Sequence, residues 1–202
     1  MKGIGYAQNF GCTFSLCEGD LIFLSDQDDV WFQTKIETIQ KLAADDEFTQ
    51  IFINDAELVH HDLSPTGLTK QGQIKSAGFS EFCVVMGCCI AIRRDFLKHL
   101  LPIPVQFKGH DVWLSNLGAG LQRRRIISQS LQLYRRYENN ESKFIANKTR
   151  RINKLDVIIN KISKIIGNKI INTSDSHELV EAIGHKAHGF YLSPFLWLEF
   201  LS

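Results

Sequence analysis

The chain has 202 residues, of which 44% are hydrophobic and 22% are charged, and its formal net charge is +1. A chain of this length can bury a sizeable core, and its charge balance excludes a protein that binds nucleic acid through overall positive charge. No apolar run reaches the ~18 residues of a membrane-spanning helix, and residues 1–9 lack the layout of a signal peptide. The five cysteines form no CxxC pair, which favours a reducing cytoplasm over a disulfide framework.

The first third of the chain predicts two buried strands with a helix between them. Residues 21–24 are a short apolar run between turn-forming residues, a pattern that is typical of a buried strand. A helix is predicted from Thr34, because Thr34 and Glu37 have the spacing of a capping box and apolar residues follow at helical spacing. Residues 51–53 predict the next strand, which ends at an Asn-Asp pair.

The middle of the chain predicts further strands and helices after a polar segment. Residues 64–78 are rich in Gly, Ser, Thr and Lys without an apolar period, which predicts a loop long enough to be a functional flap. The other predicted elements are strands at 83–86, 88–92 and 126–134 and helices that begin at Asp95 and near Asp111. Strands that alternate with helices indicate an α/β fold with a mainly parallel sheet.

Residues 148–171 predict a basic amphipathic helix. Apolar residues recur at helical spacing from Ile152 to Ile166 and form one stripe, which seven Lys and Arg residues flank against the single acidic residue Asp156. We therefore predict a domain over residues 1–144 and a helical extension over residues 145–202. The stripe must be covered either by the domain, which is the favoured interpretation, or by a membrane surface.

Three carboxylates provide the first candidate site. Asp26, Asp28 and Asp29 follow the first predicted strand at its carboxyl end, where open α/β sheets bind ligands. Such close carboxylates repel one another unless a cation or backbone amides neutralise them, and oxygen ligands suit Mg²⁺ or Mn²⁺. A solvated acidic turn explains the same residues equally well. A calcium-binding EF-hand loop is excluded, because the positions that require Asp or Asn and Gly hold Val30 and Trp31.

Two other segments supply candidate groups of a different kind. Asp111 begins a predicted helix, so it is either the N-cap or a general base that faces a substrate hydroxyl. Arg135 ends the last predicted strand, and a guanidinium there can pair with phosphate through two hydrogen bonds. Arginines are also common on surfaces without any such role.

Taken together, two motifs and several shorter matches occur in an order that resembles one enzyme family. The two motifs are the Asp-rich segment with Trp31 and a His-Asp-x-Trp segment at residues 110–113. The full set is residues 5–20, 22–31, 35–36, 54–56, Gly87 with 91–94, Pro102, residues 110–114, and Tyr134 and Arg135 with Asn140. This order resembles the family-2 glycosyltransferases, in particular the rhamnosyltransferase-like branch that builds bacterial surface polysaccharides. The resemblance covers residues 2–142.

The resemblance implies a role for each candidate residue. Asp26 and Asp28 match the Asp-x-Asp motif, whose carboxylates contact the divalent metal, Mg²⁺ or Mn²⁺, and the nucleotide sugar, and Asp29 is their neighbour. Asp111 matches the catalytic base, which removes the proton of the acceptor hydroxyl as its oxygen attacks the anomeric carbon and inverts the configuration. Arg135 and the metal would offset the charge on the departing diphosphate.

The same resemblance implies the fold and the partners. It implies a GT-A, Rossmann-like sheet, a dTDP- or UDP-linked sugar as donor, and a saccharide or lipid-linked saccharide as acceptor. This chain departs from the family's pattern in two respects. Tyr137 stands where the family often has histidine, and the family's first strands, which hold the base and ribose, have no counterpart here. We therefore expect a truncated domain with an exposed sheet edge and little turnover by this chain alone. The alternatives are a non-catalytic fragment and a protein that contacts the inner face of the plasma membrane through residues 148–171.

Overall fold

The computed structural model describes residues 5–105, 107, 109–137, 144–158 and 160. Within these residues, one six-stranded sheet contains β1 Leu21–Phe23, β2 Val30–Trp31, β3 Ile51–Val59, β4 Pro65–Thr69, β5 Ile90–Arg93 and β6 Arg124–Arg135. The helices are α1 Tyr6–Phe14, α2 Lys35–Asp45, α3 Lys70–Ser76, α4 Arg94–Leu100 and α5 His110–Gly120, and short 3-10 turns occupy Glu81–Cys83, Gly87–Cys89 and Ile145–Asn147. The predicted α/β class is therefore confirmed.

The described strands form a mixed sheet and not the mainly parallel sheet that we expected. The strand order is β1-β5-β3-β6-β2, with β4 paired to β3, and among the pairings of the described strands only β3 with β6 is parallel. A parallel pair needs a long crossover, which the chain between β3 and β6 provides. A short turn joins β3 to β4, and such a turn permits only antiparallel pairing. Among the described strands, β1 and β2 lie at the two edges of the sheet.

Two predicted segments differ from the structure. Residues 64–78 are not a loop, because they form β4, which pairs with β3, and then α3. Residues 83–86 are not a strand, since a 3-10 turn ends at Cys83 and a second turn follows at Gly87–Cys89. The helix predicted from Thr34 is present as α2, but Thr34 itself is in the αR region and its side chain makes no capping hydrogen bond. The capping box is therefore not formed.

The first residues of β3 are all apolar because both faces of the strand are buried. Ile51 and Ile53 point into the larger core cluster together with Leu114 and Leu117 of α5. Phe52, which points to the other face, packs in a smaller cluster with Ile39 of α2. A strand that is buried on both faces loses the alternation of polar and apolar residues, because each face meets a helix rather than solvent.

The close approach of α5 to β3 gives a testable expectation about stability. A Cβ added at Gly118 would lie 2.7 Å from Ile51 Cδ1 and 3.4 Å from Arg124 Cβ, and Ile51 is fully buried. Gly118→Ala is therefore expected to lower the free energy of unfolding by about 1–3 kcal/mol. Gly120→Ala, in the same helix with no atom within 4 Å, is expected to be neutral or stabilising by up to about 1 kcal/mol. If urea denaturation showed both variants to be more stable than the wild type, the close packing at Gly118 would be contradicted.

The first residues of the predicted extension pack on the domain core. Ile145, Ile152 and Val157 are buried in the larger cluster, whereas Leu155 and Ile158 are 67% and 51% exposed. Residue 159 and residues 161–202, which together hold half of the predicted basic helix, lie outside the described residues. None of the helices in the described part of the chain combines the length and the hydropathy that a membrane span requires.

Candidate functional site

A cleft of about 960 Å³ brings together residues that are distant in sequence. Asp26 and Asp28 reach it from the connection between β1 and β2, Asp111 from the first turn of α5, and Arg135 from the end of β6. Asp29 is not part of the cleft lining, but its carboxylate lies within 4.8 Å of that of Asp26. Four of the five predicted site residues thus line one cavity, and the fifth adjoins it.

The carboxylates are close enough to perturb one another. Burial raises the pKa of Asp26, and the negative charges of Asp28 and Asp111 raise it further. Burial likewise raises the pKa of Asp29 to about 6, while hydrogen bonds from the Cys88 thiol and the Arg135 backbone N–H lower it. Desolvated carboxylates that also repel one another are destabilised in the absence of a cation. This end of the cleft therefore suits a positively charged ligand.

Two of these carboxylates lie beside a thiol that the sequence analysis did not treat as functional. One ligand atom each from Asp26, Asp29 and Cys88 lies within 4.8 Å of the other two, so the three side chains could share one ion. Asp28 is outside this group, although it lines the cleft. A hydrogen bond with Cys89 and burial hold the pKa of the Cys88 thiol well above its usual range. The protonated thiol therefore acts as a hydrogen-bond donor to the carboxylates.

A buried lysine fixes Asp29 through an intermediate glutamine. Lys35 of α2 is fully buried, and its Nζ donates to Gln132 Oε1 at 2.5 Å and to the Cys88 carbonyl at 3.0 Å. The same Nζ lies 3.9 Å from the centre of the Trp31 ring. Gln132 Nε2 in turn donates to Asp29 Oδ2 at 3.0 Å. A satisfied buried network of this kind restricts the Asp29 carboxylate to one orientation.

Asp111 does not have the N-cap role that the sequence analysis offered as one interpretation. The N-cap of α5 is Gly109, and Asp111 Oδ1 instead accepts a hydrogen bond from the Val112 N–H at 2.8 Å. The preceding His110 is buried and its ring stacks on Phe10, with centroids 3.7 Å apart. Both His110 ring nitrogens are buried without a hydrogen-bond partner, and burial lowers its pKa. Burial therefore disfavours the charged form of His110, and Asp111 is the carboxylate that this turn presents to the cleft.

Arg135 reaches the cleft with its guanidinium only partly satisfied. Its backbone N–H donates to Asp29 Oδ1 at 3.3 Å, and its Nη1 donates to the Tyr137 hydroxyl at 3.3 Å. The Nε atom is buried and has no hydrogen-bond partner among the residues that the structure describes. Tyr137, which replaces the histidine that the resemblance leads one to expect, therefore contacts the arginine. The unused donor of Arg135 is available to an anionic ligand.

The raised pKa of Asp29 gives an expected pH dependence of stability. Its pKa rises from 3.8 to about 6 on folding, so between these values the folded state keeps a proton that the unfolded state has lost. The contribution of Asp29 to stability therefore falls as the pH rises from about 4 to about 6 and is constant above that range. In EDTA, the free energy of unfolding of Asp29→Asn relative to the wild type should rise with pH over this window. A difference that is independent of pH in urea denaturation would contradict the assignment.

The chemistry available to the cleft follows from its own side chains, which are the carboxylates of Asp26 and Asp28, a carboxylate in α5 and the guanidinium of Arg135. No protein-family model matches this chain, and no curated protein matches it either. A ligand that carries both an anionic group and a coordinated cation would satisfy the carboxylates and the arginine together.

Proposed function

We propose that the protein transfers a sugar from a dTDP- or UDP-linked donor to a saccharide or lipid-linked saccharide, with inversion, in the synthesis of a bacterial surface polysaccharide. The observation that carries this proposal is that Asp26, Asp28 and Asp111 line one cleft together with Arg135. These are the residues to which the family-2 resemblance gives the metal, donor and base roles. The finer fold that we propose is GT-A, since the Asp-rich turn directly follows a sheet strand, β1.

The side chains present fit a divalent cation. Asp26 and Asp29 offer carboxylate oxygens, and both have raised pKa values in the metal-free protein. We infer that these two residues hold Mg²⁺ or Mn²⁺, with Asp28 contacting the ion or the donor from the cleft. When bound, the ion would supply positive charge that stabilises the diphosphate as a leaving group.

The protein groups then act on the acceptor and the leaving group. Asp111 accepts the proton of the acceptor hydroxyl as that oxygen forms a bond to the anomeric carbon. The bond from the anomeric carbon to the diphosphate oxygen breaks, and its electron pair goes to the diphosphate. Arg135 donates hydrogen bonds to the charge that develops there. Attack from the face opposite the leaving group inverts the configuration.

A transferase assay tests this function. The chain is combined with the N-terminal strands of a related family-2 enzyme, because in that family those strands hold the base and ribose. With Mn²⁺, a panel of dTDP- and UDP-sugars and an oligosaccharide acceptor, we expect acceptor-dependent release of nucleoside diphosphate and a product of inverted anomeric configuration by NMR. Nucleotide binding without any release would favour the non-catalytic alternative. A product of retained configuration would exclude the mechanism.

A further inference from the structure

Two cations that the proposed reaction does not use line the same cleft. Lys70 comes from the first turn of α3, and Arg136 follows β6 directly after Arg135. Lys70 is only 1% exposed, its Nζ donates a hydrogen bond to the side-chain oxygen of Asn147, and it lies 4.7 Å from the centre of the Phe144 ring. We call Lys70, Arg135 and Arg136 the basic cluster.

Among the described residues, no carboxylate forms an ion pair with Lys70 or Arg135. The charge of Asp55 raises the pKa of Lys70, but the Asp55 carboxylate accepts the backbone N–H groups of Ala56 at 2.8 Å and Gln71 at 2.9 Å. An ammonium has three donors, and within the described residues Asn147 is the one acceptor of Lys70 Nζ.

Burial and a neighbouring positive charge both disfavour the protonated form of Lys70, as expected for a site that binds an anion. Burial and, to a smaller extent, the charge of Arg136 lower the pKa of Lys70 to about 7, against opposing effects of Cys89, Cys88 and Asp55. Burying a cation without a counter-ion costs free energy, which a bound anion would recover. Arg135 adds a buried Nε without a hydrogen-bond partner to the same cleft.

We propose that the basic cluster is a binding subsite for a phosphoryl group and that it holds this group without a metal ion. Guanidinium groups pair with phosphate oxygens through two hydrogen bonds, and a lysine adds a point charge with further N–H donors. The phosphoryl group can come from the donor diphosphate or from a phosphorylated acceptor. The subsite does not rest on glycosyl transfer, because it depends only on the cations of the cleft.

Calorimetry with inorganic pyrophosphate tests this subsite in the full chain. EDTA removes divalent ions, and pH 6.5 keeps Lys70 protonated. We expect the wild type to bind pyrophosphate and Lys70→Met to bind it about 10- to 100-fold more weakly, the range for a lost charge-assisted hydrogen bond. Lys75→Met is the matched control, because Lys75 lies exposed on the same helix, and it should bind as the wild type does. Arg136→Gln, a second variant at a partly exposed position, should also bind more weakly.

The outcomes separate the subsite from its alternatives. Absence of pyrophosphate binding by the wild type in EDTA, or equal binding by the wild type and by folded Lys70→Met and Arg136→Gln, would overturn the proposal. The source of the phosphoryl group follows from repeating the titration with saturating Mn²⁺ and UDP. Displacement of pyrophosphate by UDP assigns the subsite to the donor diphosphate, and simultaneous binding assigns it to the acceptor. Both of these results support a phosphoryl subsite, whether or not sugar transfer is observed.

Discussion

Asp111→Asn is expected to lower transferase turnover by about 10²- to 10⁴-fold while the affinity for nucleoside diphosphate stays the same within about twofold. The amide cannot take up the proton of the acceptor hydroxyl, so the reaction loses its base. The amide oxygen can still accept the hydrogen bond from the Val112 N–H, so the start of α5 is retained. The loss should therefore appear in turnover and not in donor binding or in the melting temperature.

The helix that follows β5 provides a matched control for this variant. Asp95 is the second residue of α4, as Asp111 is of α5, but Asp95 is exposed and pairs with Lys98. Asp95→Asn removes the same charge from the first turn of a helix without touching the cleft. It should leave turnover unchanged in the assay described above. Undiminished turnover by Asp111→Asn would show that its carboxylate is not the base.

The elements that were predicted well are those whose buried positions can be recognised from the local spacing of apolar residues. The apolar run of residues 21–24 is β1, the helical spacing after Thr34 is α2, and residues 126–134 lie within β6. In each of these segments the neighbouring residues alone define which face meets the core. The relative directions of the strands could not be predicted in the same way. The antiparallel pairing of β1 and β3 with β5 depends on contacts between segments that are distant in the sequence.

The segment that was wrongly predicted as a loop is held by contacts from elsewhere in the chain. In β4, Thr66 Oγ1 donates to the Leu58 carbonyl at 2.5 Å, and the strand pairs with β3. In α3, Gln73 Nε2 donates to the carbonyls of Lys148 and Arg150. A segment with three glycines and few apolar residues forms a strand and a helix here because tertiary hydrogen bonds override weak propensity.

The site residues divide in the same way into those that the local sequence indicates and those that only the tertiary structure reveals. Asp26, Asp28 and Asp111 stood out in the sequence because carboxylates after a strand or at a helix start are recognisable. Lys35 and Lys70 were missed, since a lysine in a polar segment looks solvated until the fold buries it. Cys88 did not stand out in the sequence, and only the structure places its buried thiol within 4.8 Å of two carboxylates.

Asp26 and Asp28 are expected to contribute differently to metal binding. Asp26 belongs to the group of ligand atoms within 4.8 Å of one another, so Asp26→Ala should abolish detectable Mn²⁺ binding. Asp28 lines the cleft outside that group, so Asp28→Ala should retain weak Mn²⁺ binding and lose its enhancement by nucleotide. The enhancement is a coupling between two ligands, and couplings of this type change affinity by about 5- to 150-fold.

Asp20→Ala is the matched control for these two variants. Asp20 precedes β1, whereas Asp26 and Asp28 follow it, and the Asp20 side chain is fully exposed and pairs with Arg94. The variant removes one negative charge at the other end of β1 without altering the cleft. Its Mn²⁺ affinity should equal that of the wild type both with and without nucleotide.

Calorimetric titration of Mn²⁺ in the absence and presence of saturating UDP or dTDP tests most directly whether this cleft is a metal–diphosphate site. For the wild type and Asp20→Ala, we expect Mn²⁺ to bind at least about fivefold more tightly when the nucleotide is present, because diphosphate oxygens complete its coordination shell. For Asp28→Ala, the two titrations should coincide. Identical Mn²⁺ binding by the wild type and Asp28→Ala, with and without nucleotide, would contradict the account.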